Sequence, residues 1–209
     1  MVSTQTKKNM NNIRIALALL TSLQLVAAQE RIPQDEALKY AALAGADSKQ
    51  LAGTPIPTQV DLDHPVALRD GEFGGMVLPQ AKLTAESLAK AGDKVVPIGQ
   101  LWLLKLTPMR DGEAIASEDL RLATVKLRDD EITLPQCALG VQKNKSGGLE
   151  LLVFGKGKEP ILKTPLKAID AKQDAPIDLD AERDSESADI TVRILGKYEA
   201  KVKVTALEI

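Results

Sequence analysis

The 209-residue chain carries 27 basic and 29 acidic side chains, one histidine, one cysteine, one Trp, two Tyr and two Phe. A formal charge of −2 provides no long-range field to draw nucleic acid or anionic lipid, and so few rings leave little for stacking on single strands or sugars. A lone cysteine cannot close an internal disulfide, and a lone histidine cannot build an imidazole-rich zinc site.

The N-terminus reads "MVSTQTKKNMNNIRIALALLTSLQLVAAQE". Lys7, Lys8 and Arg14 precede an apolar run from Ile15 to about Val26, closed by Ala27 and Ala28. A basic head, a short apolar core and a small-residue ending predict a secretory signal peptide over 1–28, cut between Ala28 and Gln29. Thr21, Ser22 and Gln24 interrupt the run, which falls short of the roughly 20 apolar residues a membrane span needs. The expected destination is secreted or periplasmic, with no membrane span after cleavage. Removing three basic residues and no acid from a chain of −2 leaves 29–209 more acidic still, and long enough for one sizeable core.

Residues 29–58 are expected to form a helical segment and a Pro-rich linker. Pro33 followed by Gln34, Asp35 and Glu36 resembles a helix start, and Ala37, Leu38, Ala41 and Ala42 fall on one helical face. "GTPIPTQ" then reads as extended linker.

From residue 59 to 209 the pattern turns to short apolar runs punctuated about every ten residues. Strands are expected at Val66–Arg69, Met76–Leu78, Gln100–Thr107, Leu120–Leu127, Glu131–Leu134, Ala138–Gln142, Leu149–Phe154, Ile161–Leu162, Ile190–Leu195 and Tyr198–Leu207. Between them "LTAESLAKAGDK" predicts a short helix with Thr84 as N-cap and Gly92 as its stop. The expected fold is mainly β: an antiparallel β-sandwich with a short N-terminal helix and one short inserted helix. Trp102, in "GQLWLLKL", reads as a core anchor on a central strand covered on both sides. Cys137, in "TLPQCALGV", reads as a buried small hydrophobe.

The last hairpin is the clearest local signal. Ile190, Val192 and Ile194 alternate with polar residues, as do Tyr198, Ala200, Val202 and Val204. Side chains alternate with period two, so matching the apolar faces requires an odd-length loop. A loop of Ile194, Leu195 and Gly196, with Gly196 left-handed, would pair Val192 with Tyr198. A second hairpin is expected where "KNKSGG" joins two apolar arms.

The order "GQLW", "DEITLPQCALGVQKN", "LELLVF" and a closing alternating strand resembles a family of small secreted bacterial β-sandwich proteins of unknown function. The resemblance covers about the last half of the chain and implies a fold and an export route but no activity. The chain departs from that family in lacking its aromatic-rich positions.

Few places offer chemistry. In "DLDH", Asp61 and Asp63 on one side of a strand would give a hard cation two oxygens, with His64 facing away. As a turn, the acids lead a solvated approach to the next strand, and this is the favoured reading. The segment 168–189 holds eight acids against Lys172 and Arg183. Its cation reading is a weak calcium site at Asp174, Asp178, Asp180 and Asp184, although no calcium-loop consensus is present. Its plainer reading is a solvated, mobile connector. Lys143, Lys145, Lys156, Lys158, Lys163 and Lys167 form a basic edge that discourages strand pairing, or a surface for an acidic envelope polymer. "GKGKEP" lacks the spacing and context of a phosphate loop, and no nucleophile elbow can be assembled. The function expected is an exported, non-enzymatic binding or structural module of the cell envelope, with an envelope protein or polymer as partner and no cofactor other than calcium. The alternative is a calcium-assisted or carboxylate-based hydrolase, which a concave cluster of acids with raised pKa would favour.

Overall fold

The computed structural model describes residues 29–48, 56–127 and 130–208. The expected signal peptide, 1–28, and residues 49–55 of the expected helix and linker lie outside the described residues. In chain order the described residues form β1 (Glu30–Arg31), α1 (Gln34–Ser48), β2 (Val66–Asp70), β3 (Phe73–Pro79), α2 (Ala85–Leu88), β4 (Val96–Leu104), β5 (Leu106–Arg110) and β6 (Glu113–Ala114). A 3₁₀ turn at Ser117–Asp119 leads to β7 (Leu122–Leu127), β8 (Asp130–Lys143), β9 (Leu149–Phe154), β10 (Leu162–Pro165) and β11 (Lys167–Ala168). The chain closes with β12 (Ile177–Arg183), β13 (Ala188–Ile194) and β14 (Tyr198–Ala206).

The strands form two antiparallel sheets packed as a β-sandwich. The larger runs β1-β2-β3-β4-β8-β9-β10, with β7 also on β8; the smaller runs β12-β13-β14-β5-β6, with β11 also on β14. β12 lies over β2 and β3 at one side, and β10 lies over β14 and β5 at the other. Between the sheets, Leu101, Leu103, Leu139, Leu151 and Val153 meet Ile177, Leu179, Val192, Val202 and Val204 in one buried cluster. Each such side chain withdrawn from water contributes roughly 1.5–3 kcal/mol.

The outer face of the larger sheet is also covered. Ala37, Ala41 and Ala44 bury one side of α1, and Ala41 and Ala44 pack with Leu78, Trp102 and Ala123. Small side chains at this helical spacing let α1 lie close to the sheet. Leu38 and Ala42, expected on the buried face, are exposed instead. Farther along, Ile56 packs with Ala138, Leu152 and Phe154. Since β1 pairs with β2 as well, the described parts of 29–58 are built into the sandwich. Trp102 is buried, as expected, and donates its indole N–H to Gln100 Oε1 at 3.2 Å.

Four details depart from the sequence expectations for physical reasons. The predicted strand Gln100–Thr107 breaks at Lys105, whose φ of 55° turns the chain from the larger sheet into the smaller one. The two predicted strands 131–134 and 138–142 are one, β8, because β7 pairs with it up to Pro135 and β4 takes over from Gln136. The β13–β14 loop is odd, as expected, but consists of Leu195, Gly196 and Lys197, so that Ile194 pairs with Tyr198 and Val192 with Ala200. Leu195 and Gly196 both take positive φ, and the Lys197 N–H closes the turn on the Ile194 carbonyl at 3.0 Å. Finally, the middle of the acidic run expected to be a mobile connector is an edge strand: β12 buries Ile177 and Leu179 and pairs with β13 throughout. The short helix α2 starts as expected, with Thr84 as N-cap in a reciprocal capping box with Ser87, but it ends at Leu88 with Ala89 as C-cap rather than running to Gly92.

Candidate functional site

The sandwich is filled at one end and hollow at the other. Alternation sends Leu68 and Asp70 of β2, Phe73 and Gly75 of β3, and Leu179, Ala181 and Arg183 of β12 toward the space between the sheets. From β13 and β14 come Ala188, Ile190, Val204 and Ala206. Near the strand ends these positions are small: Gly75 on one sheet faces Ala181, Ala188 and Ala206 on the other. The outcome is a cleft of about 600 Å³ with predominantly apolar walls, floored by Leu106, Ile190 and Val204. A Cβ placed on Gly75 would meet only ordinary contacts, Ile190 Cδ1 at 3.6 Å and Leu103 Cδ2 at 3.9 Å, so the absent side chain is open space rather than a steric need.

One ion pair spans the mouth. Asp70 ends β2, Arg183 ends β12, and Arg183 Nη1 donates to Asp70 Oδ2 at 3.1 Å. The Arg183 side chain is 59% exposed and that of Asp70 22%. Along the adjacent seam the sheets are joined by side chains. The Ala181 N–H donates to Gln29 Oε1 at 2.8 Å, and Arg31 Nη2 donates to the Leu179 carbonyl at 3.0 Å and to Asp178 Oδ1. The free edge of β12 is thereby capped by β1 and the residue before it. A second, smaller hollow of about 220 Å³ lies on the outer face beside α1, between Tyr40, Met76, Trp102 and Leu134.

The residues singled out from sequence are elsewhere. Asp61 accepts the Asp63 N–H at 2.9 Å and is hydrogen-bonded to His64 Nδ1 at 2.8 Å, which makes "DLDH" a self-contained turn. Partial burial alone would raise the Asp61 pKa, but the Asp63 backbone and His64 outweigh it and hold the carboxyl below its ordinary value. Asp178 and Asp180 share one face of β12, where Arg193 lies 2.9 Å from Asp180 and 3.9 Å from Asp178. Asp184 accepts the Ser185 N–H at 2.7 Å, and Asp174 is exposed on the approach to β12. Among the described residues no group of three or more His, Cys, Asp or Glu is placed to hold a metal ion.

Cys137 is fully buried, and desolvation pushes its thiol up to about 12, as befits a packing residue. Lys143, Lys145, Lys156, Lys158, Lys163 and Lys167 are all exposed; Lys167 reaches Glu199 at 3.4 Å. They are spread along the β8–β9 turn, the loop after β9, and β10 and β11 rather than gathered in one patch. Besides Asp61, the carboxyls with displaced pKa are Glu72, lowered by a hydrogen bond from Lys105, and Glu86, lowered by backbone and Thr84 hydrogen bonds at the start of α2. All three shifts favour the ionised form, the opposite of what a general acid requires.

Sequence reasoning missed the cleft itself. Its one local signal is alanine at the inward-facing end positions of β12, β13 and β14; the remainder lies in which strands face one another. Comparison with known proteins yields no match: no family model, no curated protein and no solved structure matches the chain. Among the described residues, no helix is long and apolar enough to cross a membrane.

Proposed function

We propose that the chain is an exported, non-enzymatic binding module of the cell envelope whose ligand seat is the cleft between the sheets. The observation that carries this reading is the cleft, with about 600 Å³ of space between apolar walls. That volume falls within the roughly 300–1,000 Å³ of small-molecule sites, which also combine apolar walls with a few polar groups at the rim. No histidine or cysteine lines it, and at its mouth the Asp70 carboxylate is paired with Arg183. The basic and apolar pattern of residues 1–28 supports export.

The test is titration with a fluorescent probe that brightens on leaving water, using the wild type and Ala188→Phe, which places a ring in the space between the sheets. Saturable one-to-one binding that the folded variant loses supports the reading. Binding unaffected by a folded Ala188→Phe protein, or no saturable binding, overturns it. Export is checked separately, by fractionating cells that express the whole chain: recovery in periplasm or medium of a product starting at Gln29 is expected, and full-length product in the cytoplasm refutes it.

A further inference from the structure

We infer that the ligand of the cleft is a single-chain amphiphile with an anionic carboxylate head: an alkyl chain lying between the sheets and a carboxylate held at the mouth by Arg183. This rests on the reading of the cleft as a ligand seat and names what fills it.

The chain half of the ligand follows from the walls. Leu68, Leu106, Ile190 and Val204 offer no hydrogen-bonding side-chain atom, so a buried polar group there would lose its water without replacement. Phe73 is the only ring in the lining, which gives a flat aromatic ligand little to stack on. A flexible alkyl chain needs neither hydrogen-bonding partners nor stacking surfaces, and the space beside Gly75, Ala181, Ala188 and Ala206 lies between the two sheets.

The head follows from the mouth. Arg69 and Glu182 also line the cleft, but alternation turns their side chains to the outer faces, where they pair with Glu30 and Lys201. The ionised groups that alternation directs inward from the flanking strands are therefore Asp70 and Arg183, while Glu186 lines the mouth from the exposed β12–β13 turn. Of these, Asp70 is the more enclosed. Arg183 is 59% exposed and spends one nitrogen, Nη1, on Asp70. A guanidinium has five donors in a planar fork, so Arg183 can take a second carboxylate beside Asp70 or exchange Asp70 for it. The charge complement of an accessible guanidinium above an apolar cleft is an anion carrying an apolar tail.

The experiment is calorimetric titration of the protein with straight-chain carboxylates of increasing length and with the matching alcohols, each kept below its micelle-forming concentration. The variants are Arg183→Gln, Asp70→Asn and Ala188→Phe, with circular dichroism and a melting curve confirming that each folds. Affinity is expected to rise roughly three- to four-fold per added methylene until the chain outgrows the cleft. Carboxylates should bind more tightly than alcohols. Arg183→Gln should weaken carboxylate binding roughly five- to ten-fold and leave alcohols unchanged, while Asp70→Asn, which removes the competing carboxylate, should tighten it. Ala188→Phe should abolish both. Equal binding of carboxylates and alcohols, or indifference to Arg183→Gln, overturns the assignment of the head. If the fluorescent probe binds in the cleft and no alkyl chain does, the inference falls and the ligand seat stands. If neither binds, or if binding persists in folded Ala188→Phe, both fall.

Discussion

The two ends of the sandwich are made from the same strands and differ in what fills the space between them. At the filled end Val77, Ile98, Leu139, Val192 and Ile194 are fully buried in the joint core. At the hollow end the same alternation delivers Gly75, Ala181, Ala188 and Ala206, and the sheets are held by side chains of Gln29, Arg31, Asp70 and Arg183 at their margins. Two antiparallel sheets therefore supply the frame, and the size of side chain at inward positions decides whether the frame is a core or a receptacle. The lesson is that a binding site of this kind is a region where packing has been withheld, so substitutions should have opposite signs at the two ends.

Enlarging a glycine gives the largest contrast. Gly99 sits beside Pro79 at the filled end with φ at 152°, and a Cβ there would lie 2.3 Å from the Leu78 carbonyl oxygen. That oxygen belongs to the backbone and cannot swing away. Gly99→Ala should cost about 3 kcal/mol or more, or prevent folding, as judged by urea unfolding. Deleting volume at the same end should come close: Leu139→Ala, at a side chain with no exposed surface, is expected to cost about 2–5 kcal/mol. If either substitution proves nearly neutral, the filled end is not close-packed and the contrast fails.

A buried polar residue on the outer face of the larger sheet gives the next effect, with reversed sign. Gln136 is completely buried beside Trp102, and neither its Oε1 nor its Nε2 has a hydrogen-bond partner. Replacing it with leucine removes two stranded polar atoms and keeps most of the volume. Gln136→Leu should raise stability by about 1 kcal/mol and the melting temperature by about 2–4 °C. A loss of stability instead would show that Gln136 is satisfied through internal water.

Gly75→Ala sharpens the comparison from the hollow end. No backbone constraint demands glycine there, and the added methyl meets only ordinary van der Waals contacts. A gain of about 0.4–1 kcal/mol is expected, from restricting the unfolded chain and covering part of the cleft wall. Gly99→Ala and Gly75→Ala are the same chemical change on paired strands. Two losses of similar size would contradict the distinction between the ends.

How much of this was legible follows from the range of the interactions involved. The sandwich was legible because alternation and turn residues are local: β9 spans Leu149–Phe154 as expected, and Thr84 caps α2. β12 was missed although "IDLDAE" alternates, because the density of acids suggested a solvated loop; the counter-charges Arg31, Arg193 and Lys201 come from distant parts of the chain. The register of the last hairpin was missed by two residues because a leucine takes positive φ, held where the Leu195 N–H meets the Pro176 carbonyl at 2.9 Å. The cleft was least legible of all. Asp70 and Arg183 are 113 positions apart, and Gln29 and Ala181 are 152 apart. No local pattern announces that four small residues on separate strands share one space.

The smallest effect concerns acid stability, and it arises at the filled end, where the Asp61 N–H meets the Pro79 carbonyl at 2.7 Å. The Asp61 carboxyl is held below its ordinary value of 3.8. A carboxyl whose folded pKa is depressed stabilises the fold above its unfolded pKa, and that contribution drains away as pH falls through the folded pKa. Melting temperature followed from about pH 5 to about pH 3 should therefore fall less steeply in Asp61→Asn than in the wild type. His64→Ala should act in the same direction but more weakly, because the Asp63 N–H still holds the carboxylate. If Asp61→Asn left the acid limb as steep as in the wild type, this turn would not be a source of the acid sensitivity.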